Sequence, residues 1–288
     1  MIIWLASYPK SGNTFLRSLL SAYLFTKDGI FLPNSIKNIK QFPAEGLFKK
    51  FGVDTSNQLE FVKNYISVQK KINSLDKKSI RFFKTHSGLY DINGFKFTDL
   101  NNTLGVIYIV RDPRSVVKSY ANHQGMSLEL AMKTLLEFSA LTGLGKHTEK
   151  IEEKNKKISH VGSWASNYNS WKEFKKLDKY LLIKYEDLVF NTEKTFLKIL
   201  NFIYKLGGSK VQIDNKKLKN SIESTTFSKM QKLEKEEGFN EEMKNIDNQK
   251  ITFFKYGPKE NDPNKLPKFL KDKIEKEFKT ELEELNYL

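Results

Sequence analysis

The chain opens with a short apolar run, Ile2–Ala6, followed at once by the loop YPKSGNT and then by Phe15, Leu16, Leu19, Leu20, Tyr23 and Leu24 at helical spacing. A run this short, ended by Pro and Gly, reads as a buried strand, and the 3.6-residue stripe behind it reads as a helix. Strand, loop and helix in that order begin a parallel α/β unit. The loop itself admits two readings. A strand-to-helix turn that needs Gly is one; the other is an anion cradle, because the N–H groups and the positive dipole end of a helix N-terminus face out of such a loop. The familiar triphosphatase loop requires Gly-Lys followed by Ser or Thr, whose hydroxyl reaches magnesium. Here the order is Lys10-Ser11-Gly12-Asn13-Thr14, so magnesium-dependent triphosphate chemistry is not its natural reading.

Three further runs read as strands, Ile80–Lys84, Gly105–Val110 and Tyr180–Lys184, and helical patterns lie between them. Val116, Val117, Tyr120 and Ala121 begin one such helix; amphipathic patterns cover Ser127 to Ala140 and Gly162 to Lys176. Ser163 is a candidate cap for the last of these, and Trp164, Tyr168 and Trp171 form a stripe that suits a core. Strands alternating with helices predict an α/β fold with a central, mostly parallel sheet covered on both faces. Between the first helix and the second strand lies a long insertion, from Lys27 to about Val68 and preceded by Phe25, with Phe31, Phe42, Phe48 and Phe51. Those aromatics either shape a pocket or pack on the sheet, and packing accounts for most of them. From Lys205 to Asn264 the Lys/Asn-rich chain suggests helices joined by mobile loops, and a terminal helix opens after Pro267. No repeat or linker divides the chain, which reads as one domain over residues 1–288.

Composition narrows the chemistry. A hydrophobic fraction of 39% with 13% aromatics can fill a sizeable core. With no Cys, disulfides, thiolate catalysis and Cys-ligated zinc are excluded; four scattered His give no metal signature. The net charge of +15 favours anionic partners, although much of it lies in Lys/Asn-rich segments that read as solvated surface. No apolar run approaches the roughly 20 residues that span a bilayer. A strand beginning at Ile2 leaves no room for a signal peptide, so a cytoplasmic location is expected.

Several stretches, in order, carry a resemblance to one family. ASYPKSGNTFLRSLL resembles the 5′-phosphosulfate loop of the sulfotransferases, FFKTH their catalytic stretch, and IYIVRDPRSVVKSY their 3′-phosphate-binding strand and helix. GSWASNYNSW is similar to their Gly-Ser-Trp helix and is followed by LLIKYEDL, with weaker echoes in STTFSKM and FFKYG. The resemblance implies a P-loop-like sulfotransferase fold. It also implies transfer of a sulfuryl group from 3′-phosphoadenosine 5′-phosphosulfate (PAPS) to a hydroxyl or amine, leaving adenosine 3′,5′-bisphosphate (PAP), with no metal.

Carried onto this chain, the resemblance assigns Lys10 to the phosphosulfate and Ser11, Gly12, Asn13 and Thr14 to the 5′-phosphate cradle. It assigns Arg111 and Ser119 to the 3′-phosphate, His86 to general base and Lys84 to charge neutralisation at the transferring group. Phe15 and Phe227, beside Thr226, would stack on the adenine, whose edge Tyr185 would contact. His86 also fits on its own terms: it follows a strand, at the carboxyl edge where open parallel sheets bind ligands, and neutral imidazole accepts protons near neutral pH. Departures are Phe15 where the family often has Trp, Asn167 where His often stands, and FFKYGPKEND, which keeps Lys255 and Gly257 but lacks the later Gly and Trp. The last segment is expected to act as a mobile lid.

Two other functions are compatible with parts of the pattern: an ATP- and magnesium-dependent small-molecule kinase, and a non-catalytic basic protein binding nucleic acid or acidic glycan. The Lys runs lack interleaved aromatics and carry no nucleic-acid motif, which disfavours nucleic acid. The acceptor, whether small molecule, lipid or glycan, and the oligomeric state are left open by the sequence.

Overall fold

Side chains along a strand alternate between faces, and in the strand β1 (Ile2–Ser7) both faces are buried. Ile2, Trp4 and Ala6 enter one apolar layer, while Ile3 and Leu5 enter the other. This two-sided burial is why the run is apolar throughout. The computed structural model describes residues 1–138, 141–142, 159–239, 243–244, 250–257 and 262–288; His147 lies outside them.

Around β1 the sheet is five-stranded: β2 (Lys40–Gln41), β3 (Arg81–Thr85), β4 (Thr103–Val110) and β5 (Tyr180–Lys184) take the order β2-β3-β1-β4-β5. All four pairings are parallel, with Leu5 opposite Lys84 on one side and Ile107 on the other. The four expected strands are thus present. The edge strand β2 has no counterpart in the sequence reading, because two exposed residues make no periodicity.

The helix α1 (Asn13–Phe25) covers one face with Leu16, Leu19 and Leu20, joined by Phe196, Ile199 and Leu200 of α4 (Thr192–Leu206). On the other face, α3 (Trp164–Trp171) buries Trp164, Tyr168 and Trp171 against Trp4, Tyr108 and the terminal helices Lys268–Glu277 and Lys279–Glu284. Ser163 caps α3 by accepting from the Ser166 N–H at 3.1 Å. The helix is shorter than its pattern: it turns 3₁₀ over Lys172–Leu177. The pattern expected over Ser127 to Ala140 forms a helix at Leu128–Leu136, after which Glu137 is extended; Ala140 lies outside the described residues.

In the insertion, Phe31, Phe42 and Phe48 are buried and Phe25 is exposed. Trp4 meets Phe42 edge-on at 5.4 Å, so most of these rings are packing, as expected. Arg17 of α1 pins the insertion by donating to the carbonyls of Ile36 and Ile39, at 3.3 and 2.8 Å. Among the described residues no helix is long and apolar enough to cross a membrane.

Candidate functional site

In a parallel sheet every strand points its carboxyl end at the same edge, and residues that follow the strands collect there. Four adjacent strands do so here. β1 leads into the Lys10 loop, β3 into His86, β4 into Arg111 and β5 into Tyr185. Residues far apart in sequence become neighbours for that reason alone.

The loop is tightly specified. Lys10 adopts a left-handed backbone, φ 64°, and Gly12 stands at φ 101° as the N-cap of α1, without a side-chain cap. A Cβ on Gly12 would lie 2.4 Å from Tyr185 Cδ2. Gly12→Ala is therefore expected to cost about 2–3 kcal/mol, from left-handed strain and displacement of the Tyr185 ring. Its thermal midpoint should fall by roughly 3–5 °C, and an unchanged melt would contradict that account.

Arg111 is 4% exposed and lies under this loop. Its Nη1 donates to the Lys10 carbonyl at 3.0 Å, and its guanidinium lies 4.2 Å from the Tyr185 ring centroid. Among the described residues its Nε and Nη2 are buried without a hydrogen-bond partner, as is the hydroxyl of fully buried Ser11. Buried donors are costly to leave unpaired, and donors on a guanidinium call for an anion. Asp112 caps the next helix, α2 (Pro113–Gln124), with Pro113 in its first turn. The turn is anchored from behind: Arg114 donates to the Asp112 carboxylate at 2.6 Å and to the Tyr287 carbonyl at 2.8 Å. Glu186 accepts from the Asp112 N–H at 3.2 Å and from the Tyr287 hydroxyl at 2.7 Å. Ser119 is half-buried on α2.

His86 is half-buried, and its Nδ1 lies 2.8 Å from the Ser7 carbonyl and 3.3 Å from the Ser7 hydroxyl. A carbonyl only accepts, so the shorter contact assigns the proton to Nδ1 and leaves the lone pair on Nε2. Asn13 donates through Nδ2 to the Leu5 carbonyl at 2.8 Å and to the Ser7 hydroxyl at 3.1 Å. Its side chain thus ties the loop to the strand, and any anion contact from Asn13 is left to its main chain. Asn167, fully buried, donates to the His86 and Val161 carbonyls at 3.0 and 2.7 Å and accepts from the Tyr108 hydroxyl at 2.8 Å. Asn167 therefore braces the His86 backbone. Lys84 is buried on β3. Burial holds the His160 imidazole below its ordinary value, and pushes the Tyr8 hydroxyl well above its own.

The remaining expected residues lie on neighbouring elements. Thr226 precedes the helix α5 (Phe227–Glu237), and Phe227 meets Phe254 edge-on at 6.2 Å. Phe15 packs with the α1 core group, with no direct ring contact to Phe227 among the described residues. The segment 250–257, which contains Lys255 and Gly257, runs beside α2. Asn122 donates to the Thr252 carbonyl at 3.5 Å, and the Lys118 and Lys255 ammonium groups lie 4.9 and 5.3 Å from the Tyr256 ring centroid. Sequence reasoning missed Ser7, Tyr108, Glu186 and Phe253. Ser7 and Glu186 had a weak signal, as polar residues abutting strand ends; the other two had none.

Comparison with known proteins follows the same outline. The family described as Sulfotransferase domain matches residues 2–286. A 3-alpha-hydroxysteroid sulfotransferase of Cavia porcellus is 24% identical over 200 residues, 69% of this chain and 57% of its own length. An amine sulfotransferase of Oryctolagus cuniculus is 24% identical over 205 residues, 70% and 56% of the two chains. The aligned region thus spans less than two thirds of these relatives. In fold, retinol dehydratase in complex with androsterone and inactive cofactor PAP superposes with a TM-score of 0.57 at 15% identity, covering 98% of this chain and 80% of that one. A mouse sulfotransferase complexed with PAP gives 0.52 at 19%, covering 98% and 84%. The motifs that resembled one family in sequence meet at one sheet edge, and with nearly every residue inside the family match the chain belongs to the sulfotransferase domain family.

Proposed function

We propose that this protein transfers a sulfuryl group from PAPS to a hydroxyl or amine of an acceptor, releasing PAP. The observation that carries the reading is the pair of unpartnered, buried Arg111 donors beside the Lys10 loop, one strand from that loop's own strand and two from His86. Family membership and the PAP named in the two solved relatives support it.

The residues present fit the nucleotide. Arg111 Nε and Nη2 would form a two-pronged donor for the 3′-phosphate, with Ser119 of α2 as a further donor to it. The Ser11 hydroxyl and the main chain of Gly12, Asn13 and Thr14 would hold the 5′-phosphate at the α1 N-terminus. Phe15 and Phe227 would supply aromatic faces for the base, Tyr185 supports the Arg111 guanidinium, and Thr226, Lys255 and Gly257 would border the same cradle. When bound, PAPS supplies the activated sulfur–oxygen bond, which breaks as the acceptor's oxygen or nitrogen bonds to sulfur.

His86 Nε2 takes the acceptor's proton, because Nδ1–H is committed to the Ser7 carbonyl. Lys10 stabilises the phosphate oxygen that gains negative charge, and Lys84 neutralises the transferring group. The names of the curated relatives, a hydroxysteroid and an amine sulfotransferase, support a small-molecule acceptor.

Thermal denaturation with nucleotide tests the cradle. PAP at about 100 times its dissociation constant should raise stability by roughly 2.7 kcal/mol, and ATP with magnesium should not. A larger shift with ATP and magnesium than with PAP would overturn the reading in favour of a kinase. Labelled PAPS with a panel of acceptors then tests transfer directly, with Lys10→Ala as the dead control; activity that survives that change would sink the mechanism.

A further inference from the structure

Lys10 is held at both ends. Its carbonyl accepts from Arg111, while its Nζ lies 3.8 Å from the centroid of the Phe253 ring. That ring is itself fixed. The buried carboxylate of Glu234 on α5 accepts the N–H groups of both Phe253 and Phe254, the latter at 2.9 Å. Gln231 Nε2 donates to the Phe254 carbonyl at 3.0 Å. Phe239 packs against Phe253 with centroids 5.1 Å apart, and His123 meets it edge-on at 5.8 Å. Hydrophobic packing explains the Phe239 contact but does not call for a ring face set against an ammonium.

We propose that Phe253 is a positioning residue for the Lys10 ammonium, clamped in place by the Glu234 carboxylate. The proposal rests on the reading of Lys10 as the group that stabilises the departing phosphate oxygen. A lysine is a flexible stem ending in a compact charge with three donors. The negative face of an aromatic ring attracts that charge from one side. An anionic oxygen then approaches the ammonium from the side away from the ring, with little freedom left to lose at the transition state.

Fluorinated phenylalanines at position 253 test this, because each added fluorine weakens the negative ring face while changing its shape little. Phe253 is replaced by the 4-fluoro, 3,5-difluoro and 3,4,5-trifluoro analogues, with Phe253→Leu alongside. Two quantities are read: kcat for sulfuryl transfer, and the rate at which an N-hydroxysuccinimide ester acylates Lys10, followed by peptide mass spectrometry. The expected result is a stepwise fall in kcat, reaching about 5-fold at three fluorines, and a rise of about 5-fold in Lys10 acylation as the ammonium loses its stabilising face. A kcat series that stays flat overturns the proposal, whatever acylation does. Should the unsubstituted protein transfer no sulfuryl group to any acceptor, the transferase reading fails instead; acylation then decides alone, and a flat acylation series overturns the ring's hold on Lys10.

Discussion

Replacing Arg111 by Ala should weaken PAP binding by about 100-fold or more, as read by titration calorimetry. The guanidinium is buried under the loop with two donors unpaired, and charge-assisted hydrogen bonds of this kind are worth roughly 1.5–3 kcal/mol each. Losing two of them corresponds to at least two decades in the dissociation constant. Arg111→Lys returns the charge but not the two-pronged geometry, so it should recover less than about tenfold. The nucleotide-free protein should lose only about 2 kcal/mol, since what disappears there is one hydrogen bond to the Lys10 carbonyl and one contact with the Tyr185 ring. This asymmetry is the discriminating feature. Affinity for PAP within threefold of the parent would remove Arg111 from the 3′-phosphate site, whereas a large loss of stability in the nucleotide-free protein would mark it as a structural ion.

His86 should show the opposite profile. His86→Ala and His86→Asn are expected to lower kcat by about 10²–10⁴-fold, the usual worth of a positioned general base, with PAP affinity held within about twofold. The Asn variant matters because its amide retains a donor for the Ser7 carbonyl but has no titratable nitrogen. Both variants should also lose the acid limb of the kcat/KM profile, the limb along which protonation of a base removes activity as pH falls. A kcat within tenfold of the parent at neutral pH would assign the proton to another acceptor. Equal losses of kcat and PAP affinity would mean that the loop and the histidine had been disturbed together, through Ser7 and Asn13.

Much of this site was legible because it sits at chain landmarks. The two-sided apolar strand, the Gly12 turn and the α1 stripe are local features, and local sterics set them. His86, Arg111 and Tyr185 could be ranked above other His, Arg and Tyr residues because each follows a strand. The partners that tune these residues were less accessible. Asn167 was noticed only as an unusual residue in a resemblance, and its role as the brace on the His86 carbonyl required the approach of α3 to β3 and β4. Phe253 meets Lys10 across almost the full length of the chain, where no spacing rule applies, and Glu234 holds Phe253 from behind. The pattern over Gly162 to Lys176 ran past the α-helix because hydrophobic period alone does not mark where α turns to 3₁₀.

Sequence alone determined the parallel α/β order and the sheet edge at which chemistry collects, because side-chain alternation, helical period and the φ > 0 demand of Gly12 are properties of a few adjacent residues. Tertiary structure decided which nitrogen of His86 carries the proton, which Arg111 donors stand unpaired and what faces the Lys10 ammonium. Those outcomes depend on distances of about 3–4 Å between segments far apart in the chain, where hydrogen-bond and cation–π energies rise or vanish within an ångström.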